Sequence, residues 1–145
     1  MTSRAILAQR LHEKGLRLTS QRLAVLSAIE EHPDHPDAAS IAKAARRRAG
    51  SISTQAVYNV LDALTEAGLI RRIEPAGSPA LYETRVGDNH HHVVCRSCGT
   101  TVDVDCVVGH APCLKPSSTH GFVVDEAEVT FWGLCRACSR KRPAR

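Results

Sequence analysis

Four cysteines and three histidines in the second half of this chain are the residues most able to do chemistry. Cys95-Arg96-Ser97-Cys98 and Cys135-Arg136-Ala137-Cys138 are two Cys-x-x-Cys hooks. Together they offer four thiolates, the full tetrahedral ligand set of a closed structural zinc site. Residues 99–134 lie between the hooks, a longer span than in a simple zinc ribbon. The hooks are therefore expected to bracket a small sheet and join its start to its end. The rival chemistry is a thiol redox switch, because such pairs can oxidise once zinc leaves. Cys106 and Cys113 fall outside the pattern and read as small buried residues.

His90, His91 and His92 run directly into the first hook. Side chains alternate on a strand, so His90 and His92 share one face and His91 takes the other. Asp103, on the expected next strand, falls beside the first two. Imidazoles with a carboxylate suit iron, manganese, zinc, nickel or cobalt, and these donor types do not choose among them. A catalytic metal with an open position on His90, His92 and Asp103 is a second reading. Against it, no general base stands nearby in sequence.

The elements that must position these groups read as follows. Residues 4–14 form a short helix with Ile6, Leu7 and Leu11 on one side, ended by Gly15. Thr19 or Ser20 caps a second helix carrying Leu23, Leu26 and Ile29. Asp37 caps a third, with Ala38, Ile41, Ala42 and Ala45 inward. Ser53 caps a fourth over residues 54–67, with Val57, Val60, Leu61 and Leu64 inward and Gly68 as its stop. Residues 69–73 and 80–83 are two strands around the turn Pro75-Ala76-Gly77-Ser78-Pro79. Helices followed by a hairpin is the order of a winged helix-turn-helix, with the third and fourth helices as the turn motif. The outer face of the fourth helix shows Thr54, Gln55, Tyr58, Asn59 and Asp62. Such hydroxyls, amides and a tyrosine can read base edges and thymine methyls in a major groove. An ordinary amphipathic helix is the alternative.

Residues 85–89 are polar and read as a hinge. Beyond it, short alternating strands surround Cys95 and Cys98. The run 107–116 is broken by Gly109, Pro112 and Pro116, and residues 122–132 read as one longer returning strand. The fold class expected is α+β, a winged helix-turn-helix over residues 1–84 and a small zinc-stapled α/β domain over 90–145.

Composition sets the outer bounds. The chain has 145 residues, 43% hydrophobic, with only five aromatic side chains, so its core must be aliphatic. No window is long and apolar enough to span a membrane, and the first residues show no signal-peptide pattern. Six cysteines in such a chain favour metal or redox chemistry over disulfides, with a cytoplasmic location expected. Net charge is +4. The clusters Lys43, Arg46, Arg47, Arg48 and Arg140, Lys141, Arg142 read from charge alone as solvated faces.

Five strings together resemble the ferric uptake regulator family of bacterial metal-dependent repressors. They are residues 15–22 (Gly-Leu-Arg-Leu-Thr-Ser-Gln-Arg), 53–61 (Ser-Thr-Gln-Ala-Val-Tyr-Asn-Val-Leu), Tyr82-Glu83, 90–99 (His-His-His-Val-Val-Cys-Arg-Ser-Cys-Gly) and 132–138 (Trp-Gly-Leu-Cys-Arg-Ala-Cys). They occur in order over nearly the whole chain and look most like the actinobacterial branch that represses catalase-peroxidase genes in response to peroxide and iron. The resemblance implies a homodimer that is not an enzyme and that binds AT-rich palindromic double-stranded DNA, with the second domain as the dimerisation domain. It implies structural Zn2+ on Cys95, Cys98, Cys135 and Cys138. A second divalent metal, Fe2+ or Mn2+, would sit on His35, Glu83, His90, His92 and Asp103 and link the two domains. Lys14, Arg17 and Arg22 fall where the family contacts backbone or minor groove, and Tyr58 where it packs against thymine methyls. Two departures stand out. Glu83 occupies a position where iron-type peroxide sensors usually carry aspartate, which makes thiol oxidation a live alternative signal. The positions of a third family metal site, Asn89, His91, His110 and Ala127, are a poor ligand set, and no full site is expected there. Zinc, manganese and nickel regulators of the same family share most of these ligands, so they stand as the alternative.

Overall fold

Four short polar residues, Ser3, Thr19, Asp37 and Ser53, decide where the first four helices begin in the computed structural model, which describes residues 2–32, 34–84, 86, 90–105, 116–124 and 127–141. The chain divides into two compact units, Met1–Asp88 and Asn89–Arg145.

The first unit opens with α1 (Arg4–Glu13), α2 (Ser20–Glu30), α3 (Ala38–Ala49) and α4 (Thr54–Glu66), followed by β1 (Arg71–Ile73) and β2 (Leu81–Glu83). Thr19, Asp37 and Ser53 are the N-caps of α2, α3 and α4, each accepting the amide three residues on with its side-chain oxygen. Leu7, Leu11, Leu23, Leu26, Ile29, Ile41, Ala42, Ala45, Val57, Val60, Leu61 and Leu64 all bury in one aliphatic core, joined by Tyr82. Each large aliphatic side chain so buried contributes about 1.5–3 kcal/mol of transfer free energy. Ile6 does not join them. It is 47% exposed, because in this helix its position lies just off the stripe defined by Leu7 and Leu11. Glu30 on α2 accepts from Thr2 at 2.8 Å and pairs with Arg10 at 3.4 Å, which ties α1 to α2.

The hairpin is antiparallel, with Arg71 opposite Glu83 and Ile73 opposite Leu81. Gly77, at φ +76°, takes the left-handed turn position that a side chain would resist. A further bridge pairs Asp37 antiparallel with Leu81, and the Tyr82 amide donates to the Pro36 carbonyl at 3.0 Å. The extended residues entering α3 thus run alongside β2.

Asp37 performs two tasks at once, bridging to β2 and capping α3. The Ser40 amide donating to its carboxylate, helped by the Ser40 side chain, holds the Asp37 carboxyl below its ordinary range. A depressed folded-state value means the cap contributes fully above the unfolded-state value of about 3.9 and is lost as pH falls through the folded one. Asp37→Ala is expected to cost about 1 kcal/mol at pH 7, seen as a melting shift of roughly 4–8 °C for the first unit. The gap between variant and wild type should narrow as pH falls toward 3. A gap that stays constant over that range would contradict the assignment.

The second unit holds β3 (His90–Cys95), β4 (Thr101–Asp105), β5 (Thr130–Gly133) and the short α5 (Arg136–Arg140). Its sheet order is β4-β3-β5. β3 pairs antiparallel with β4 and parallel with β5. The long strand expected over 122–132 is shorter than its composition suggests. Among its described residues only Thr130–Gly133 pairs, while Phe122, Val123 and Val124 are exposed and outside any strand. β-formers alone do not make a strand without a partner edge. The run 107–115, Cys106, Cys113, and all of the expected hinge except Val86 lie outside the described residues. Among the described residues, no helix is long and apolar enough to cross a membrane.

Candidate metal centres and nucleic-acid interface

The four thiols of the two hooks meet because β3 and β5 run parallel. Cys95 stands opposite Gly133 in that register, and the Arg96 amide donates to the Gly133 carbonyl at 2.8 Å. Cys135 follows two residues later as the N-cap of α5. Cys98 is brought round by the tight turn between β3 and β4, in which the Gly99 amide donates to the Cys95 carbonyl at 3.0 Å. All four sulfurs lie within 4.8 Å of one another.

The distances select among chemistries. Cys98 Sγ and Cys135 Sγ are 3.8 Å apart. A disulfide needs about 2.05 Å. A tetrahedron with zinc–sulfur bonds of about 2.3 Å has edges of about 3.8 Å. The backbone also prepares the sulfurs for the thiolate form. The Cys135 amide donates to Cys95 Sγ at 3.4 Å, and with further amide donors from the knuckle it pulls the Cys95 thiol down to about 6. The Thr100 hydroxyl, 3.0 Å from Cys98 Sγ, lowers that thiol as well. Cys138 goes the other way. Ser97 favours its thiolate, but hydrogen bonding with Cys135 and the other sulfurs pushes it up to about 11. Four crowded sulfurs cannot all be anionic without a cation among them. The donor set fits zinc. Beside it the Arg96 guanidinium lies 5.2 Å from the centroid of the Trp132 ring, a cation–π contact between the knuckle and β5.

The second donor chemistry is nitrogen and oxygen, and each unit holds a part of it. In the first unit, the isolated bridge of Asp37 with Leu81 and the bond from the Tyr82 amide to the Pro36 carbonyl bring the chain at His35 alongside Glu83. His35 Nε2 lies 2.9 Å from Glu83 Oε2, and both side chains are largely buried. In the second unit, His92 stands opposite Asp103. His92 Nε2 and His90 Nε2 lie 3.2 Å and 3.7 Å from Asp103 Oδ1, and the two imidazoles pack edge to face with centroids 4.9 Å apart. Both histidines are almost wholly buried, and the Asp103 side chain is 27% exposed. His91 points to the opposite face, where its Nδ1 accepts the Val129 amide at 3.3 Å. It serves the entry to β5. Ala127 offers no donor group, and Asn89 and His110 lie outside the described residues.

The candidate nucleic-acid face is α4. Thr54, Gln55, Tyr58 and Asn59 are all exposed, opposite the buried stripe of Val57, Val60, Leu61 and Leu64. Gln55 Nε2 donates to Asn59 Oδ1 at 2.9 Å. Lys14 caps the C-terminal end of α1, and Arg22 turns back so that its guanidinium donates to the Arg17 carbonyl at 2.7 Å.

One residue of this face was not singled out by sequence. Arg46, near the end of α3, donates from Nε to the Ile52 carbonyl at 2.9 Å and from its terminal nitrogen to the Thr54 hydroxyl at 3.3 Å. It therefore locks the turn between α3 and α4. Its neighbour Arg48 pairs with Glu31. The basic cluster that reads in sequence as a solvated face is thus partly structural. Arg46 sits six residues before the carbonyl it grips, a spacing without a sequence signature.

Comparison with known proteins agrees with this architecture. Residues 13–131 match the model of the ferric uptake regulator family. The transcriptional regulator FurA of Mycobacterium tuberculosis is 58% identical over 132 residues, covering 91% of this chain and 89% of that protein. The peroxide operon regulator of Bacillus subtilis is 32% identical over 136 residues, covering 90% of each. Among solved structures, the Helicobacter pylori ferric uptake regulator Fur, described as having three functional metal binding sites, superposes with a TM-score of 0.71. It does so at 18% identity over 95% of each chain, a likeness of fold. The chain belongs to the ferric uptake regulator family, whose members are metal-dependent transcriptional regulators and not enzymes.

Proposed function

We propose that this chain is a metal-gated, peroxide-responsive repressor that binds AT-rich palindromic DNA as a homodimer in the cytoplasm. Its targets would be catalase-type or iron-homeostasis genes. The observation that carries the reading is the presence of two chemically distinct donor sets on a chain with a DNA-reading helix. The Cys95, Cys98, Cys135 and Cys138 sulfurs have the spacing of a closed zinc tetrahedron. The His35–Glu83 pair and the His90, His92 and Asp103 group offer imidazole and carboxylate, donors that suit Fe2+ or Mn2+.

In this reading Zn2+ holds the second unit together. The two nitrogen–oxygen groups serve a single regulatory ion, with His35 and Glu83 contributed by the residue 1–84 domain and His90, His92 and Asp103 by the 90–145 domain. Residues 85–89 act as the hinge. Bound divalent metal supplies charge that lets these buried imidazoles and carboxylates act together as ligands. The protein's own part is to hold the donors on β2, β3, β4 and the segment entering α3, and to present Lys14, Arg17, Arg22, Thr54, Gln55, Tyr58 and Asn59 to DNA at the spacing of an inverted repeat. The relatives named FurA and peroxide operon regulator support the iron and peroxide parts of the reading.

A specific observation favours a second peroxide route besides oxidation of a ligand histidine. The sulfurs of Cys95, Cys98, Cys135 and Cys138 lie within 4.8 Å of one another, close enough to oxidise together whenever zinc is absent.

The test is fluorescence anisotropy on an AT-rich inverted repeat, with zinc-loaded protein titrated with Fe(II) and Mn(II) before and after a low dose of peroxide. Binding that metal switches on and peroxide abolishes is the expected result, and mass spectrometry then separates an oxidised histidine from oxidised cysteines. Metal-dependent binding that ignores peroxide would make the chain a metal-homeostasis regulator, for zinc, manganese or nickel uptake as well as for iron.

A further inference from the structure

Gln55 and Asn59 are one helical turn apart on the exposed face of α4, and their side chains are already bonded to each other at 2.9 Å. That bond occupies the Asn59 carbonyl and one hydrogen of the Gln55 amino group. It leaves the Gln55 carbonyl as a free acceptor and, as donors, the second Gln55 N–H and both N–H groups of Asn59. Exchanging oxygen and nitrogen in both amides reverses the two roles and again leaves one free carbonyl beside free N–H donors. The couple therefore offers the same mixed pattern in either arrangement.

Major-groove chemistry makes that pattern selective. Adenine presents the N7 acceptor beside the N6 amino donor, the complement of one donor and one acceptor. Guanine presents two acceptors, N7 and O6, so it can bond the couple's N–H groups but leaves their free carbonyl without a donor. A bonded i, i+4 pair also loses less side-chain freedom on binding than two independent amides. Arg46, locked to the Ile52 carbonyl and the Thr54 hydroxyl, holds the start of the same helix, so the couple is carried on a fixed mount.

We propose that Gln55 and Asn59 act as a single adenine-reading unit, specifying an A·T pair at one position of each half-site. This rests on the DNA-binding reading above and assigns within it a base and the residues that choose it.

The test starts with selection from a duplex library of random sequence, using full-length protein loaded with zinc and Mn(II). Anisotropy is then measured on the recovered site and on all its single base-pair substitutions. At one position per half-site, replacing A·T by G·C should weaken binding by roughly 5- to 150-fold. Gln55→Ala and Asn59→Ala should each flatten the preference at that position and leave the others intact. The double variant should lose little more than either single one. Asn59→Asp replaces a donor with an acceptor, so it should move the preference toward cytosine, whose N4 amino group donates. Both residues are exposed, and unchanged circular dichroism will show that the variants fold. If the single variants weaken all sequences equally, or alter preferences at two separate positions, the couple is not the reader while the DNA-binding reading stands. If the wild-type protein recovers no sequence at all, both fall together.

Discussion

Cys95→Ser should release zinc and unfold the second unit while the helices of the first remain. Cys95 is the buried member of the four thiols, and it takes the Cys135 amide onto its sulfur. It also joins three elements, since it ends β3, faces Gly133 across the parallel pairing, and receives the chain entering α5. Structural zinc contributes on the order of 10–16 kcal/mol of apparent binding free energy. A domain's whole stability is about 5–15 kcal/mol. Losing the site therefore exceeds what the short strands β3, β4 and β5 can offset by themselves. The measurements are metal content by mass spectrometry and the near-ultraviolet circular dichroism of Trp132, which sits in β5. Zinc content should fall toward zero and the aromatic signal should collapse. The far-ultraviolet helical signal should stay, because the core formed by α1 to α4 is complete within the first unit. A Cys95→Ser protein that kept one zinc per chain and a cooperative melt would show that the four sulfurs are not the staple.

The second large effect falls on His92. His92→Ala is expected to leave zinc bound and the fold intact, but to weaken metal-dependent operator binding by about 100-fold or more. Moving a two-state population from roughly 1:99 to 99:1 takes about 5.5 kcal/mol of differential binding, and a metal site that loses a direct ligand no longer supplies it. His92 is fully buried beside Asp103, so the alanine variant also leaves a cavity. His92→Gln, closer in volume, separates the lost ligand from the lost packing and should show the same loss of response. His91→Ala is the contrast. It removes the acceptor for the Val129 amide and, like His92→Ala, a buried side chain, so it lowers stability but should leave the metal response unchanged. Equal loss of response in His91→Ala and His92→Ala would contradict the division of the two faces.

The division between what sequence shows and what it hides follows from how far each interaction reaches along the chain. Thr19, Asp37 and Ser53 were legible as caps because capping is decided within four residues. The inward stripe of α4 was legible because its period is local. His90 and His92 were legible as a pair because strand alternation is local too, and the β3–β4 turn is short enough to place Asp103 opposite. His35 and Glu83 are 48 positions apart, and nothing in either neighbourhood announces the other. Only the resemblance named them, and the backbone reason emerged with the Asp37–Leu81 bridge. Arg46 was hidden for the same reason, since an arginine at a helix end can grip any nearby carbonyl. Ile6 and the run from Phe122 show the opposite error. Apolar character was present, but the packing surface or pairing edge that would use it was not.

The parallel pairing of β3 with β5 has a consequence for synthesis. Parallel neighbours need a long crossover, and here residues 96–129, β4 among them, must be spanned before the pairing can form. Cys135 and Cys138 leave the ribosome after β3, β4 and β5. The first unit, closed by residue 88, can fold while the rest is still being made. The second unit can complete its ligand set only after Cys138 has emerged. Each new molecule therefore passes through a stage in which the helix-turn-helix is built and the metal staple is not. In a cell short of zinc, newly made chains would stall at that stage, so the supply of one metal would limit how many molecules are able to answer the other.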